Sequence, residues 1–139
     1  MTMQRVVLDT NVFLVCISER SRLHWIFSKL QAGEYMLYVT TEILAEYAEI
    51  IGQHMGEEAS ENALGVLENL PNVKFVTTYF KFRLMKDEDD NKFVDCAVAG
   101  NASFIVSHDR GFKILEKIDF PKVKVIDTET FRKILEKET

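Results

Sequence analysis

The chain has little of what would mark it as a special case. Only two of its 139 residues are cysteine. Cys16 and Cys96 lie in apolar stretches without CxxC spacing, so they read as buried reduced thiols rather than disulfide or zinc ligands. Only two residues are proline, Pro71 and Pro121, each just ahead of a short β-like run, and they act as punctuation. There is no Pro/Gly/Ser-rich linker, low-complexity stretch or internal repeat. Residues 1–139 are therefore expected to form one domain, and 47% hydrophobic residues suffice for its core. No run approaches the roughly 18 apolar residues that span a bilayer, and the N-terminus enters a strand almost at once without a leader pattern. The expectation is a cytoplasmic protein with no membrane. A basic surplus is missing too: 17 Lys and Arg face 22 Asp and Glu, a net charge of −5. That is awkward for a nucleic-acid partner, unless carboxylates clustered in one site are neutralised by metal, which turns the local field toward attracting phosphate.

What is present is alternation. Strand-like runs occur at 5–8 (RVVL), 36–40 (MLYVT), 73–77 (VKFVT), 104–107 (FIVS) and 123–126 (VKVI). Helical patterns fill the intervals: 11–32 with a break near 18–21, then 41–54, 57–70, 90–101, 109–117 and 128–137. Short apolar strands alternating with helices predict an α/β fold, a mainly parallel central sheet of about five strands flanked by helices on both faces. Sites in such sheets form beyond the carboxyl ends of the strands. Asp9 follows the first strand and Asp109 the fourth, so both emerge at one rim.

Two further acids are candidates for that rim. In TTEILAEYAEII the apolar stripe is Ile43, Leu44, Tyr47, Ile50 and Ile51, and Glu46 lies at its edge beside Ile43 and Ile50. Taken alone, any one of the helix's glutamates reads as part of a solvated face; Glu46 is the best placed. In KDEDDNKFVDCAVAG, Asp90 precedes Phe93 and Val94 by one turn, at the entrance to the buried face of a helix, while Asp87 to Asp89 fall in the preceding loop. Taken alone, Asp90 reads as an N-cap with a solvated acidic loop. An EF-hand is excluded, because Lys92 stands at the turn glycine and Val98 at the bidentate glutamate.

Together the series VVLDTNVF, TTEILAEYAEII and DEDDNKFVDCAVAGNASFIVSHD resembles the PIN-domain nucleases, most of all the bacterial VapC-type toxin components of toxin-antitoxin systems. The match in order and spacing covers roughly residues 4–115, and the last strand and helix also belong to that three-layer α/β/α fold. The resemblance implies that Asp9, Glu46, Asp90 and Asp109 are the catalytic acids and hold divalent metal, with Asn11 and Ser107 as supporting polar residues. Two positions depart: His108 stands where such sequences often carry glycine or arginine, and Gly111 falls near a second acid that many members have.

The chemistry follows. Phosphodiester hydrolysis needs an activated water and neutralised phosphate charge, which Mg²⁺ or Mn²⁺ supplies, and hard cations prefer oxygen ligands. The implied function is a metal-dependent endoribonuclease acting on RNA. A small antitoxin protein and a second copy of the chain, as a homodimer, stand as candidate partners that the sequence leaves open. TYFKFRLMK (78–86) interleaves aromatics with cations, which makes Lys81 and Arg83 substrate-binding candidates; the competing reading is a helix that buries its aromatics. Arg110 is a further phosphate candidate, with Arg20, Arg22 and Lys113. A haloacid-dehalogenase-like phosphatase is disfavoured, because Asn11 occupies its general-acid position and cannot cycle a proton. A phospho-acceptor receiver domain is disfavoured by Thr77 and Asp127, where an aspartate and a lysine are required. The rival from another class is a catalytically silent PIN fold that binds RNA or protein.

Overall fold

A computed structural model of the chain describes residues 3–138. Five short strands form its centre: β1 (Arg5–Leu8), β2 (Met36–Val39), β3 (Val73–Phe75), β4 (Phe104–Val106) and β5 (Val125–Ile126). All neighbours pair in parallel, in the order β3-β2-β1-β4-β5. Their β-branched and aromatic runs suit a sheet covered on both faces. Val6, Val7, Leu8, Leu37, Val39, Ile105 and Val106 are wholly buried.

The connections are α1 (Thr10–Cys16), α2 (His24–Gln31), α3 (Thr41–Met55), α4 (Glu57–Asn69), α5 (Asn91–Ala99) and α6 (Thr128–Lys137), with 3-10 helices at Glu88–Asp90 and Arg110–Lys117. On one face α1 packs against α2 and α3, and α3 against α4. α6 joins this layer: Phe131 makes edge contacts with Tyr35 and Phe104 and a tilted contact with Trp25 of α2. On the other face α5 crosses β1, β2 and β4. Parallel crossovers keep one hand. The chain steps from β1 outward to β2 and β3, then returns past β1 to β4, so the connections before and after that reversal cover opposite faces. The result is the expected three-layer α/β/α sandwich.

The reversal also positions the site. β1 and β4 are adjacent, with Leu8 paired to Val106, and they are the strands from which the chain departs in opposite directions. The crevice at such a switch point, beyond the carboxyl ends, is where open α/β sheets bind ligands.

Three expectations shift. The final strand shortens to two residues. The segment expected as a helix over 109–117 is 3-10, because Asp109 caps it through Gly111 N–H at 2.8 Å and its buried pair, Phe112 and Leu115, recurs every three residues. Finally, residues 76–87 form neither helix nor strand, so the alternative in which TYFKFRLMK buries its aromatics in a helix does not hold. Gly100 closes α5 against β2: a Cβ there would run into the Tyr38 ring.

Candidate active site

Asp9 is the first residue past β1. Its backbone N–H still pairs with Val106 O at 3.1 Å, and its side chain is almost buried, at 7% exposure. One carboxylate oxygen caps α1 weakly through Asn11 N–H at 3.4 Å, and the other accepts from Ser107 Oγ at 2.6 Å. Ser107, the first residue past β4, is buried and also accepts from Asp109 N–H at 2.9 Å. A single hydroxyl thus ties the rim acids of the two central strands together.

Asp90 arrives from a different direction, at the end of the 3-10 turn that feeds α5. It occupies the N-cap position of α5 but makes no side-chain cap hydrogen bond, so the capping role that its sequence position suggests is absent. Its carboxylate turns toward Asp109 instead: a Cβ added to Gly111 would lie 3.2 Å from Asp109 Oδ1 and 3.8 Å from Asp90 Oδ2, so the two acids flank one point. That is the position at which the sequence departs from its look-alikes, and glycine leaves it open.

Glu46 projects from the second turn of α3 and stands between two partners. Thr10 Oγ1 donates to Oε2, and Lys92 Nζ meets Oε1 at 2.7 Å. Lys92 also donates to Asp89 O at 2.7 Å. Thr10 and Lys92 were not legible as site residues, because both act through a glutamate more than thirty positions away. A lone cation two residues past Asp90 in an acidic run is the one signal that could have found Lys92.

The electrostatics record this convergence. Burial raises the Asp9 carboxyl above its usual range; Ser107 and the Asn11 N–H pull it back, and the charges of Asp109 and Glu46 push it further up. Asp90 rises to about 6, through partial burial first and then repulsion by Asp109, Asp87 and Asp9, opposed by Lys92. These acids therefore share an excess of negative charge that Lys92 only partly offsets.

Of the other candidates, Asn11 is exposed and lines a cleft of about 330 Å³ with Asp9, Val15, Leu23, His108 and Asp109. Arg110 is exposed beside Asp109 in an adjoining cleft. His108 is exposed and bonds Thr128 Oγ1 at 2.9 Å. Lys81 and Arg83 lie on the irregular 76–87 segment, outside the acidic centre, with Lys81 near Asp95 of α5. Cys16 and Cys96 are buried free thiols, as expected.

The donors suit a divalent ion in kind, since all are carboxylate oxygens whose mutual repulsion a cation relieves. Among the described residues, no three acidic, histidine or cysteine side chains already enclose an ion. The fit is one of donor type and charge.

Comparison with known proteins yields one family: the profile described as PIN domain matches residues 5–111. A search among curated proteins returns no match. Among solved structures, the chain is similar to VapBC2 from Rickettsia felis bound to a DNA fragment from their promoter, with TM-score 0.63 and 15% identity, covering 89% of this chain and 98% of that one. It is also similar to Mycobacterium tuberculosis VapC20, a sarcin-ricin loop cleaving toxin, with TM-score 0.56 and 13% identity, covering 77% of this chain and 92% of that one. A third likeness is to the T. brucei RRP44 PIN domain, with TM-score 0.51 and 11% identity, covering 99% of this chain and 83% of that one. At such identities the likeness is one of fold. Among the described residues, no helix is long and apolar enough to cross a membrane.

Proposed function

The chain belongs to the PIN domain family, whose members are generally nucleases, and from that premise we propose that it is a metal-dependent endoribonuclease, residues 1–139 acting as one cytoplasmic nuclease domain. The observation that carries this reading is the gathering of Asp9, Asp90 and Asp109 at the switch point of the sheet, where partial burial and then the neighbouring carboxylates raise Asp90 to about 6 and Asp90 makes no cap bond. An Asp90 that served only as the N-cap of α5 would make that bond.

Asp9, Asp90 and Asp109, with Glu46 behind them, would hold Mg²⁺ or Mn²⁺. When bound, such an ion supplies a water acidic enough to attack phosphorus at neutral pH, and positive charge for the phosphate oxygens. The chain's own groups set the frame. Ser107 fixes the Asp9 carboxylate and the Asp109 backbone together, so β1 and β4 present their acids as a unit. Thr10 and Lys92 hold Glu46 in a single orientation. Lys92 also keeps one positive charge in the site, limiting repulsion of the incoming phosphodiester. Arg110, next to Asp109 and exposed, offers a phosphate contact at the rim.

The test is direct. Purified chain incubated with single-stranded or looped RNA should cleave it internally with Mg²⁺ or Mn²⁺ and stop on chelation. Unchanged cleavage in EDTA contradicts the metal assignment, and clean protein that neither binds metal nor cleaves favours a silent RNA-binding or protein-interaction module.

The similarity to VapBC2 and VapC20 supports a finer reading, that of a toxin component with a small antitoxin; a homodimeric form is proposed beside it without support from these comparisons. An antitoxin arginine inserted among the acids would satisfy them bidentately and block substrate. Expression of the chain alone should then slow growth; harmless overexpression of active enzyme would instead point to housekeeping RNA processing.

A further inference from the structure

The segment between β3 and the 3-10 turn at Glu88–Asp90 is irregular, yet it is anchored by buried groups. Asp95 and Asn91 of α5 are 7% and 4% exposed. The Asp95 carboxylate accepts from Phe82 N–H at 3.1 Å, and the Asn91 side-chain oxygen accepts from Met85 N–H at 2.9 Å. Arg83 between them adopts a left-handed conformation with φ 52°, an unfavoured state for a residue with a side chain that persists only when its surroundings hold it. A mere connection needs none of this.

What the anchored backbone displays is unusual for a water-facing surface. Tyr79 and Phe80 are 84% and 74% exposed, and Lys81, Arg83 and Lys86 are exposed around them. Phe75 on the edge strand β3 is more than half exposed, next to exposed Lys74. No acidic residue occurs from 69 to 86, in a chain whose net charge is −5. A locally basic, ring-bearing strip on an acidic protein matches a polyanion with open aromatic faces.

Its place in the fold supplies the rest. Because the sheet is parallel, the chain leaves β3 at the same edge at which Asp9 leaves β1 and Ser107 leaves β4, and beyond the strip the chain continues through the Glu88–Asp90 turn to Asp90. Bases in a duplex hide their faces in the stack, whereas unpaired bases offer them to tyrosine and phenylalanine. We propose that residues 76–86 form a docking platform for single-stranded RNA, Tyr79 and Phe80 stacking on unpaired bases while Lys81 and Arg83 hold the phosphates, so that the strand is led to the acidic rim. This deepens the nuclease reading and rests on it for the direction of the strand, but binding and cleavage are separately measurable.

The experiment is fluorescence anisotropy of the full chain in EDTA with a labelled 12-nucleotide oligouridylate and with a duplex of equal length, alongside a separate cleavage assay with Mn²⁺. The wild type should prefer the single strand. Tyr79→Ala with Phe80→Ala should weaken single-strand binding by about a hundredfold, since each of the two stacked bases contributes on the order of tenfold, and should barely change duplex binding. Lys81→Gln with Arg83→Gln should weaken both and flatten the salt dependence. Ultraviolet cross-linking of the wild type to oligouridylate should mark the peptide containing Tyr79 and Phe80, which requires no variant to fold. Unchanged single-strand affinity in the ring variant, or cross-links elsewhere, would overturn the platform even if the chain cleaves RNA. Ring-dependent binding without cleavage would uphold the platform and defeat the nuclease reading. Self-association abolished by the ring variant would assign the rings to a second copy of the chain and overturn the platform.

Discussion

Replacing Asp90 by asparagine should stabilise the metal-free protein while disconnecting it from metal. The carboxyl of Asp90 is displaced from 3.8 to about 6, first by partial burial and then by Asp109, Asp87 and Asp9, against the pull of Lys92. A displacement of that size corresponds to roughly 3 kcal/mol between the two protonation states. Asp90 is only partly buried, so solvent screening leaves about 1 kcal/mol as the penalty for the charge at pH 7.5. Asparagine removes that penalty, and no cap is lost because Asp90 makes no cap bond. For a chain of this length, 1 kcal/mol is roughly 3–5 °C in Tm. Metal adds the second arm: at a hundred times its Kd, Mn²⁺ should stabilise wild type by about 2.7 kcal/mol, and Asp90→Asn should forfeit most of that gain. Melting curves of both proteins in EDTA and in Mn²⁺ provide the four values needed. A lower metal-free Tm in the variant, or an identical Mn²⁺ shift in both proteins, would refute the reasoning and return Asp90 to a helix-start role.

Two other consequences are measurable. Lys92→Met should destabilise the metal-free chain by about 1–2 kcal/mol, less than breaking a fully buried pair, because Glu46 keeps some solvent; the freed glutamate should enlarge the Mn²⁺-induced shift, and an unchanged shift by calorimetry would separate Lys92 from the metal site. The pH response follows from Asp90 and Asp9, whose folded-state carboxyls are raised. The native state holds these protons more tightly than the unfolded chain does, so their contribution to metal-free stability is greatest below the unfolded value and is lost as pH rises, for Asp90 through about 6. The difference between wild-type and Asp90→Asn melting curves from pH 4 to 7.5 isolates this slope from Asp127, which is lowered by its Thr130 hydrogen bonds and acts in the opposite sense. A difference independent of pH would count against the raised carboxyl.

The strand and helix order could be read from the sequence because the strands are uninterrupted apolar runs and the helices carry stripes, signals that depend on neighbours in the chain. The rim pairing of Asp9 and Asp109 was legible for the same reason, since parallel strands fix which end each acid leaves. Glu46 was best placed at a stripe edge, and there it bonds Thr10 and Lys92. What stayed hidden depends on partners far away in sequence. Ser107 bridging Asp9 to the Asp109 backbone, Thr10 reaching Glu46 and Lys92 neutralising it all require the sheet to close first. The 76–87 segment misled because its aromatic and basic alternation also suits an amphipathic helix; the hydrogen bonds of Asp95 and Asn91 to its backbone, invisible in sequence, keep it irregular and leave Tyr79 and Phe80 in water.

Whether the acids at the switch point make this chain a metal-dependent ribonuclease is decided by a single cleavage assay: end-labelled single-stranded RNA with purified wild type and Asp90→Asn, each in Mn²⁺ and in EDTA. Internal cleavage is expected from wild type with Mn²⁺ and none in the other three conditions. Equal cleavage by wild type and Asp90→Asn, or cleavage that persists in EDTA, would contradict it.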